Sequence, residues 1–540
     1  MHSDFQTVKT TSSPGQTTNS LPLSVAWISL LLMLPLWWRE DQLGSTWLIA
    51  EAWLIPGLLA LAAGRQGLAW LRWLAALWLT ALVLVLCGDA LVRQVLSRPL
   101  NLALDPLLLR AGFHLIEGAA SRAAAVLASL LLIALLLGLV LWLADRLQPG
   151  RLTATHPQRS AILLVGATLA LLGSWLPASD RISPGLVLEQ SKRIIETRRG
   201  QQALLDQLGS GSLDARPLPG LAGRDVYLVF IESYGISALD QSRYGQRLQP
   251  LLEHHQTRLS ESGFASVSGL LEAPIRGGQS WLAHATALSG LRIDNDHWYR
   301  LLLDQSPASL ADDFRATGHF PLVVSPAIIF DWPEAEQLGF DGVMTADDLN
   351  YQGPPLGWVT MPDQFTLDVV SRRIVPEQSR PVFAMLALIS SHAPWTPVVD
   401  VLKDWESIGE GEIFEPWRDR GESPLRLWFN PPRLRQAYLD SLDYSLQVTF
   451  DWIPEHLDAS SLVIVLGDHQ AASIITGREA SAAVPVHIIS GEPALLEPFI
   501  ERGWQPGLLP DLAPESVNDM AELRHWMRSD FADGLTPTTE

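Results

Sequence analysis

The string Val226-Tyr-Leu-Val-Phe-Ile231 is followed at once by Glu232-Ser-Tyr-Gly235. An unbroken apolar run rich in β-branched and aromatic residues reads as a strand buried on both faces of a parallel sheet. The carboxylate then stands at its carboxyl end. Two further runs have the same form. Residues 382–389 lead into Ser390-Ser391-His392, and 462–466 lead into Gly467-Asp468-His469. Weaker strand candidates are 322–325 and 484–489. Helical patterns at 242–262, 305–316, 363–374 and 433–456 fill the gaps. Strands alternating with helices predict an α/β domain with a central, mostly parallel sheet.

Open α/β sheets build their sites outside the carboxyl ends of strands. Glu232, His392 and the Asp468-His469 pair all stand at such ends. Mixed carboxylate and imidazole donors suit a divalent metal such as Zn²⁺ or Mn²⁺. A lone Asp-His dipeptide also fits a surface turn, and Glu232 alone fits a helix N-terminus. Three strand ends carrying the set together favour a metal centre.

Outward from this domain the composition changes. The 540 residues carry 38 Lys+Arg and 58 Asp+Glu, a net charge of −20. Residues 1–177 hold 11 basic and 8 acidic side chains, which leaves 27 and 50 for 178–540. The first part is apolar and slightly basic, the second acidic. The acidic balance argues against a nucleic-acid partner. The one cysteine, Cys87, excludes an intramolecular disulfide and an all-cysteine zinc site. Five apolar runs, at 21–38, 46–64, 67–87, 123–144 and 160–177, are each read as a membrane span. Trp37-Trp38, Trp70, Trp73, Trp142 and Trp175 lie near their ends, as interfacial rings do. Arg146, Arg151 and Arg159 in one short loop and Arg65 in another mark the cytoplasmic side. The expected order is a cytoplasmic tail over 1–20, a five-span membrane domain over 21–177, a juxtamembrane helix and linker over 178–221, and an extracytoplasmic catalytic domain over 222–540. Residues 99–116 read as an interfacial helix or a plain loop. Within the runs only Glu51 and Arg72 are ionisable, and both lie near run ends, which disfavours a channel or transporter.

The motifs resemble those of the lipoteichoic acid synthase and phosphoglycerol transferase branch of the sulfatase/alkaline phosphatase superfamily. The opening strand ending in Glu232-Ser233, the segment Gly278-Gln-Ser280 with Ala283 and Ser289-Gly-Leu291, Leu388-Ile-Ser-Ser-His392-Ala-Pro394, Tyr438-Leu-Asp-Ser441-Leu-Asp-Tyr444 and Leu466-Gly-Asp-His469 are collinear with that family's pattern. The resemblance implies that Glu232, Ser280, Asp468 and His469 bind one divalent metal, Mn²⁺ first, with Mg²⁺ or Zn²⁺ as alternatives. It implies that Ser280, where the family usually has Thr, is the nucleophile, and that His392 contacts the transferred group. Ser280 also fits a helix cap. His284, one turn further along, either touches substrate or is a surface histidine. Arg276 and Arg292 either clamp phosphate or are solvated, and His487 is a further candidate in a strand.

Two departures bear on substrate. The family's Trp-x-Arg grip on the head group is represented by Asp331-Trp332-Pro333, with Trp332 present and the Arg absent. No sulfatase signature occurs, and a single cysteine disfavours the disulfide-rich phosphoethanolamine transferases. The function expected is transfer of a phosphoryl-linked head group, phosphoglycerol from phosphatidylglycerol, to an extracytoplasmic glycan, polymer or lipid through a covalent serine intermediate. A hydrolase or phosphoethanolamine transferase of the same fold, and a catalytically dead membrane scaffold, are the alternatives. The location expected is the bacterial inner membrane. The Trp-rich 395–432 segment reads as a lid facing lipid or glycan, or as an ordered loop packed by its own rings.

Overall fold

The computed structural model describes residues 19–39, 49–61, 68–119, 121–148, 152–153, 155–173, 183–209 and 213–533. The N-terminal tail before 19, Arg65, Arg151, the run end with Trp175 and Pro177, and the loop at 210–212 lie outside the described residues. Two compact units divide the chain. One comprises 1–92 and 99–196, the other 93–98 and 197–540.

In the first unit each apolar run carries a helix: α1 (Leu21–Arg39), α2 (Ala50–Leu61), α3 (Leu71–Leu96), α5 (Arg122–Arg146) and α6 (His156–Gly173), with α4 (Pro106–Ala119) between the third and fourth runs. Among the described residues two helices, α3 and α5, are long and apolar enough to cross a membrane. The helices α1 and α2 are apolar but shorter, and α6 spends its first turn on His156-Pro-Gln-Arg159. Along α5 only Ala125, Leu143 and Ala144 are buried, while Leu127, Leu130, Leu131, Ile133 and Leu135 stand exposed. A helix apolar all round and uncovered by protein is suited to lipid. The next helix, α7 (Ser183–Leu208), covers the juxtamembrane pattern and runs across the unit boundary.

The second unit is built on one nine-stranded sheet. Its strands are β1 (Val226–Ile231), β2 (Ala265–Glu272), β3 (Phe320–Val324), β4 (Gly342–Met344), β5 (Val382–Ala387), β6 (Leu462–Gly467), β7 (Ala483–Ser490), β8 (Gln505–Pro506) and β9 (Asn518–Asp519). The order is β8-β2-β7-β6-β1-β5-β3-β4, with β9 paired to β2. The stretch β6-β1-β5-β3-β4 is parallel, β7 pairs antiparallel with β6, and β2 pairs antiparallel with β7. All six residues of β1 are buried. Tyr227, Val229 and Ile231 enter the core on one face, and Val226, Leu228 and Phe230 the core on the other. Burying each such side chain contributes about 1.5–3 kcal/mol, which fixes this strand at the centre. The register sets Ile231 beside Gly467, so the residues that follow, Glu232 and Asp468, emerge side by side.

Helices that flank the sheet include α8 (Ser242–Glu261), α9 (Ser280–Ser289), α10 (Leu310–Thr317) and α11 (Asp363–Val369). A fifth, α12 (Pro431–His456), packs against α8 and α11. The expected helix over 305–316 starts later because Ser309 and Asp312 close a capping box ahead of α10. A C-terminal helix, α13 (Glu522–Asp530), is tied to α10 by a buried ion cluster. Asp313 accepts from Arg524 Nε at 3.0 Å and Arg528 Nε at 2.8 Å, and neither Asp313 nor Arg524 is exposed. Asp313→Ala should therefore cost about 3–5 kcal/mol of stability by leaving a buried guanidinium without its charge partner. Chemical denaturation of purified protein measures it, and a loss below 1 kcal/mol would contradict the buried pairing.

Candidate metal and nucleophile site

Glu232 leaves β1 into a tight turn in which Ser233 takes a left-handed φ of 59°. The turn aims Ser233 N–H at Asp468 Oδ1, 2.8 Å away, while Ser233 Oγ donates to Glu232 Oε1 at 2.8 Å. Asp468 Oδ1 also accepts the His469 N–H at 2.6 Å. Tyr438 OH, from α12, donates to the Ser233 carbonyl at 3.0 Å, and Ser391 Oγ donates to the Glu232 carbonyl at 2.7 Å. The backbone that carries the carboxylates is thus clamped from two neighbouring elements.

Glu232, Asp468 and His469 are buried, with one ligating atom from each lying within 4.8 Å of the others. His469 Nδ1 stands 3.0 Å from the Gln470 carbonyl, which assigns the ring hydrogen to that nitrogen. The Nε2 lone pair is left facing Glu232 Oε1 at 3.4 Å and Asp468 Oδ2 at 3.7 Å. Ser280 Oγ completes the group, donating to Glu232 Oε2 at 2.8 Å and lying 3.3 Å from His469 Nε2.

Burial alone would raise both carboxyls. At Glu232 it is outweighed by the neighbouring histidines and by hydrogen bonds from Asp468 and Ser280, which hold that carboxyl below the usual carboxylate range. Asp468, buried and beside the Glu232 charge, is pushed well above the usual carboxylate range. Burial pushes the His469 imidazole down, only partly offset by Glu232, so the ring is neutral and able to ligate. Two clustered carboxyls, one pushed up and the other held down, together with an inward lone pair and a hydroxyl, form a donor set that a divalent cation fits.

Ser280 is the first residue of α9, and the cap position falls to Gln279, with φ 68° and no side-chain cap bond. The Ser280 hydroxyl is therefore turned to Glu232 and His469 instead of closing the helix. It lies at the positive end of a ten-residue helix, where negative phosphoryl oxygens are favoured. The loop before it bends through Gly277 (φ 78°) and Gly278 (φ 140°). A Cβ on Gly277 would stand 2.0 Å from the Val95 carbonyl oxygen, so only glycine fits there.

The other candidates separate. His392 is half-buried, interacts electrostatically with Glu232 and His469, and turns Nδ1 to the Ala393 carbonyl at 2.5 Å, leaving Nε2 for another partner. His284 packs on Phe230 with ring centroids 4.4 Å apart, and burial lowers its pKa to about 4. The Arg276 guanidinium is engaged by the carbonyls of Ala480 at 2.5 Å and Ser97 at 2.6 Å, and Arg292 pairs with Asp519 and Glu272. Trp332 is half-buried on the apolar core that includes Ala335 and Leu338. His487 is fully buried between Ser268 Oγ, 2.8 Å from Nδ1, and Tyr234 OH, 3.1 Å from Nε2. Burial drops its pKa to about 3. A depressed value means that the neutral ring stabilises the fold above the unfolded pKa, near ~6.5, and that this is lost as pH falls towards 3. His487→Gln should flatten the acid limb of a stability–pH curve by up to ~1.4 kcal/mol per pH unit between these values. An unchanged slope in urea titrations from pH 7 to pH 4 would contradict it.

One positioning residue gave no signal in the sequence. Asp363, at the start of α11, is completely buried and accepts from Ile389 N–H at 2.8 Å, Ser390 N–H at 2.9 Å and Ser445 Oγ at 2.7 Å. It pins the turn that delivers Ser391 and His392. Its partners lie 26 to 82 residues away, so local spacing does not reveal it.

Among solved structures, the lipoteichoic acid synthase LtaP from Listeria monocytogenes matches at 14% identity over 51% of this chain and 66% of that one, with a TM-score of 0.35. The aligned part is thus just under two thirds of the LtaP chain. The integral membrane phosphoethanolamine transferase EptA from Neisseria meningitidis matches at 12% identity over 95% of this chain and 97% of that one, TM-score 0.44. The phosphoglycerol transferase GacH from Streptococcus pyogenes matches at 14% identity over 54% and 74%, TM-score 0.34. No protein-family model and no curated protein matches the chain. At these identities activity does not pass from one chain to another, and the chemistry is read from the site.

Proposed function

We propose that this chain is a bacterial inner-membrane phosphotransferase that moves phosphoglycerol from phosphatidylglycerol to an extracytoplasmic glycan, polymer or lipid. In this reading five helices anchor it, the sheet domain faces the periplasm or exterior, and Glu232, Asp468, His469 and Ser280 hold one Mn²⁺. The observation that carries it is the placement of Ser280 Oγ, 2.8 Å from Glu232 Oε2 and 3.3 Å from His469 Nε2 at a helix N-terminus.

When bound, the cation withdraws charge from the serine oxygen and from the phosphoryl group. Glu232 accepts the Ser280 hydroxyl hydrogen and orients the oxygen towards phosphorus. A bond then forms from Ser280 Oγ to phosphorus, the bond from phosphorus to the diacylglycerol oxygen breaks, and the serine proton ends on the departing alcohol. The positive end of α9 holds the phosphoryl oxygens, with His392 beside the transferred group. An acceptor hydroxyl repeats the displacement in reverse, returning its proton to Ser280. Water in place of the acceptor gives the hydrolase. The test is diacylglycerol release from fluorescent phosphatidylglycerol by full-length protein in detergent, with and without Mn²⁺. Release that needs the metal supports the reading, metal-independent release overturns the role given to the metal, and no release from a folded metal-loaded protein overturns this donor.

A further inference from the structure

The short helix at Pro424–Trp428, within the Trp-rich insertion, has two unlike faces. Leu427 is buried and roots it in the core, whereas Leu425 is 69% exposed, Trp428 42% and the following Phe429 83%. Three large apolar side chains in five residues, left in water, mark an interaction surface. The charge around them is reversed relative to the rest of the domain. Residues 417–435 carry five Arg (418, 420, 426, 433 and 435) against Asp419 and Glu422, while 178–540 as a whole carries 27 basic and 50 acidic residues. Arg418 and Arg433 pair with Glu415 and Glu422, and Arg420 lies over the Trp417 ring. Arg426 is exposed beside the apolar trio and has no carboxylate partner among the described residues.

The patch is joined to the site. Trp428 packs on Trp395 with centroids 6.3 Å apart, Trp395 Nε1 donates to the Ser391 carbonyl at 2.7 Å, and Ser391 Oγ donates to the Glu232 carbonyl at 2.7 Å. Exposed apolar side chains beside an exposed basic one fit the headgroup level of an anionic bilayer: the apolar groups enter the acyl boundary and the guanidinium meets lipid phosphate. We propose that Leu425, Arg426, Trp428 and Phe429 form a docking surface for anionic lipid. Its service in bringing a lipid donor to Ser280 rests on the function proposed above, but the surface has its own readout.

Cys87→Ala removes the one native cysteine, and Phe429→Cys in that background takes an environment-sensitive fluorophore on the full-length protein in nanodiscs. A Glu261→Cys label, at an exposed polar position on the same unit, is the control. The probe at 429 should shift to the blue and be quenched by headgroup-level nitroxide lipids, more in phosphatidylglycerol than in phosphatidylcholine, with no quenching at 261. Arg426→Glu should remove the difference between the two lipids. Absence of lipid quenching at 429 overturns the proposal, as does a blue shift that depends on protein concentration alone, which would place a second copy on the patch. Quenching without diacylglycerol release leaves the surface standing and removes the donor, so the two failures are distinguishable.

Discussion

Ser280→Ala is expected to lower turnover by on the order of 10³-fold or more, because it removes the atom to which phosphorus becomes bonded. The same change leaves Glu232, Asp468 and His469 in place, so metal should still bind and still raise the melting temperature. That pairing of outcomes separates a nucleophile from a structural serine. Ala is compatible with the first turn of α9, where no helix N–H depends on the Ser280 side chain for capping. Initial rates of diacylglycerol release, with thermal melts with and without Mn²⁺, check both parts. Turnover within tenfold of the parent would remove Ser280 from the chemistry.

The second large effect is expected at Asp468. Its Oδ1 accepts two backbone N–H groups, from Ser233 and His469, which the carbonyl oxygen of asparagine also accepts. Asp468→Asn therefore replaces an ionisable ligand by a neutral one with little disturbance to the turn. In the parent, metal at a hundredfold over its Kd should add ~2.7 kcal/mol of stability, and the variant should lose most of this. The pH dependence has a definite sign. The folded pKa of Asp468 is raised by burial and by Glu232. Its contribution to the metal-free fold is complete below the unfolded value, near ~3.9, and is lost as pH rises through the folded value. Metal releases that proton, so stabilisation by Mn²⁺ should grow with pH over the same range. The Asn variant should show neither slope. Melts over a pH series with and without metal read both, and a metal increment that is flat with pH in the parent would contradict the protonation scheme.

The centre of this domain is legible from residue order because its strands are hydrophobic on both faces and each ends on a polar residue. The runs at 226, 382 and 462 become β1, β5 and β6, adjacent in the sheet in the order β6-β1-β5. Parallel neighbours in matched register bring the residues after them together, which is why Glu232, Asp468 and His469 converge. By contrast, β2 carries no such pattern: Ala265-Ser-Val-Ser-Gly-Leu-Leu-Glu272 mixes small, polar and apolar residues and lacks a β-branched run. Its partner β7 reads only as a weak strand, and its antiparallel sense depends on a connection that periodicity does not encode. The side chains of Arg276 and His487 show a further limit. Whether a guanidinium meets phosphate or a carbonyl depends, for Arg276, on Ser97, 179 residues away. Whether an imidazole opens to a site or is enclosed depends, for His487, on Ser268 and Tyr234 across the sheet. In the membrane half composition shows apolar runs, and α2 (Ala50–Leu61) lies within one of them.

The covalent serine intermediate is tested most directly by trapping it. Full-length protein with Mn²⁺ and phosphatidylglycerol, without acceptor, is quenched in acid, digested and analysed by mass spectrometry. The account predicts one glycerophosphoryl group on the peptide that carries Ser280, absent when metal is withheld. Diacylglycerol release with that peptide unmodified under the same quench, or the adduct on a different residue, would contradict it.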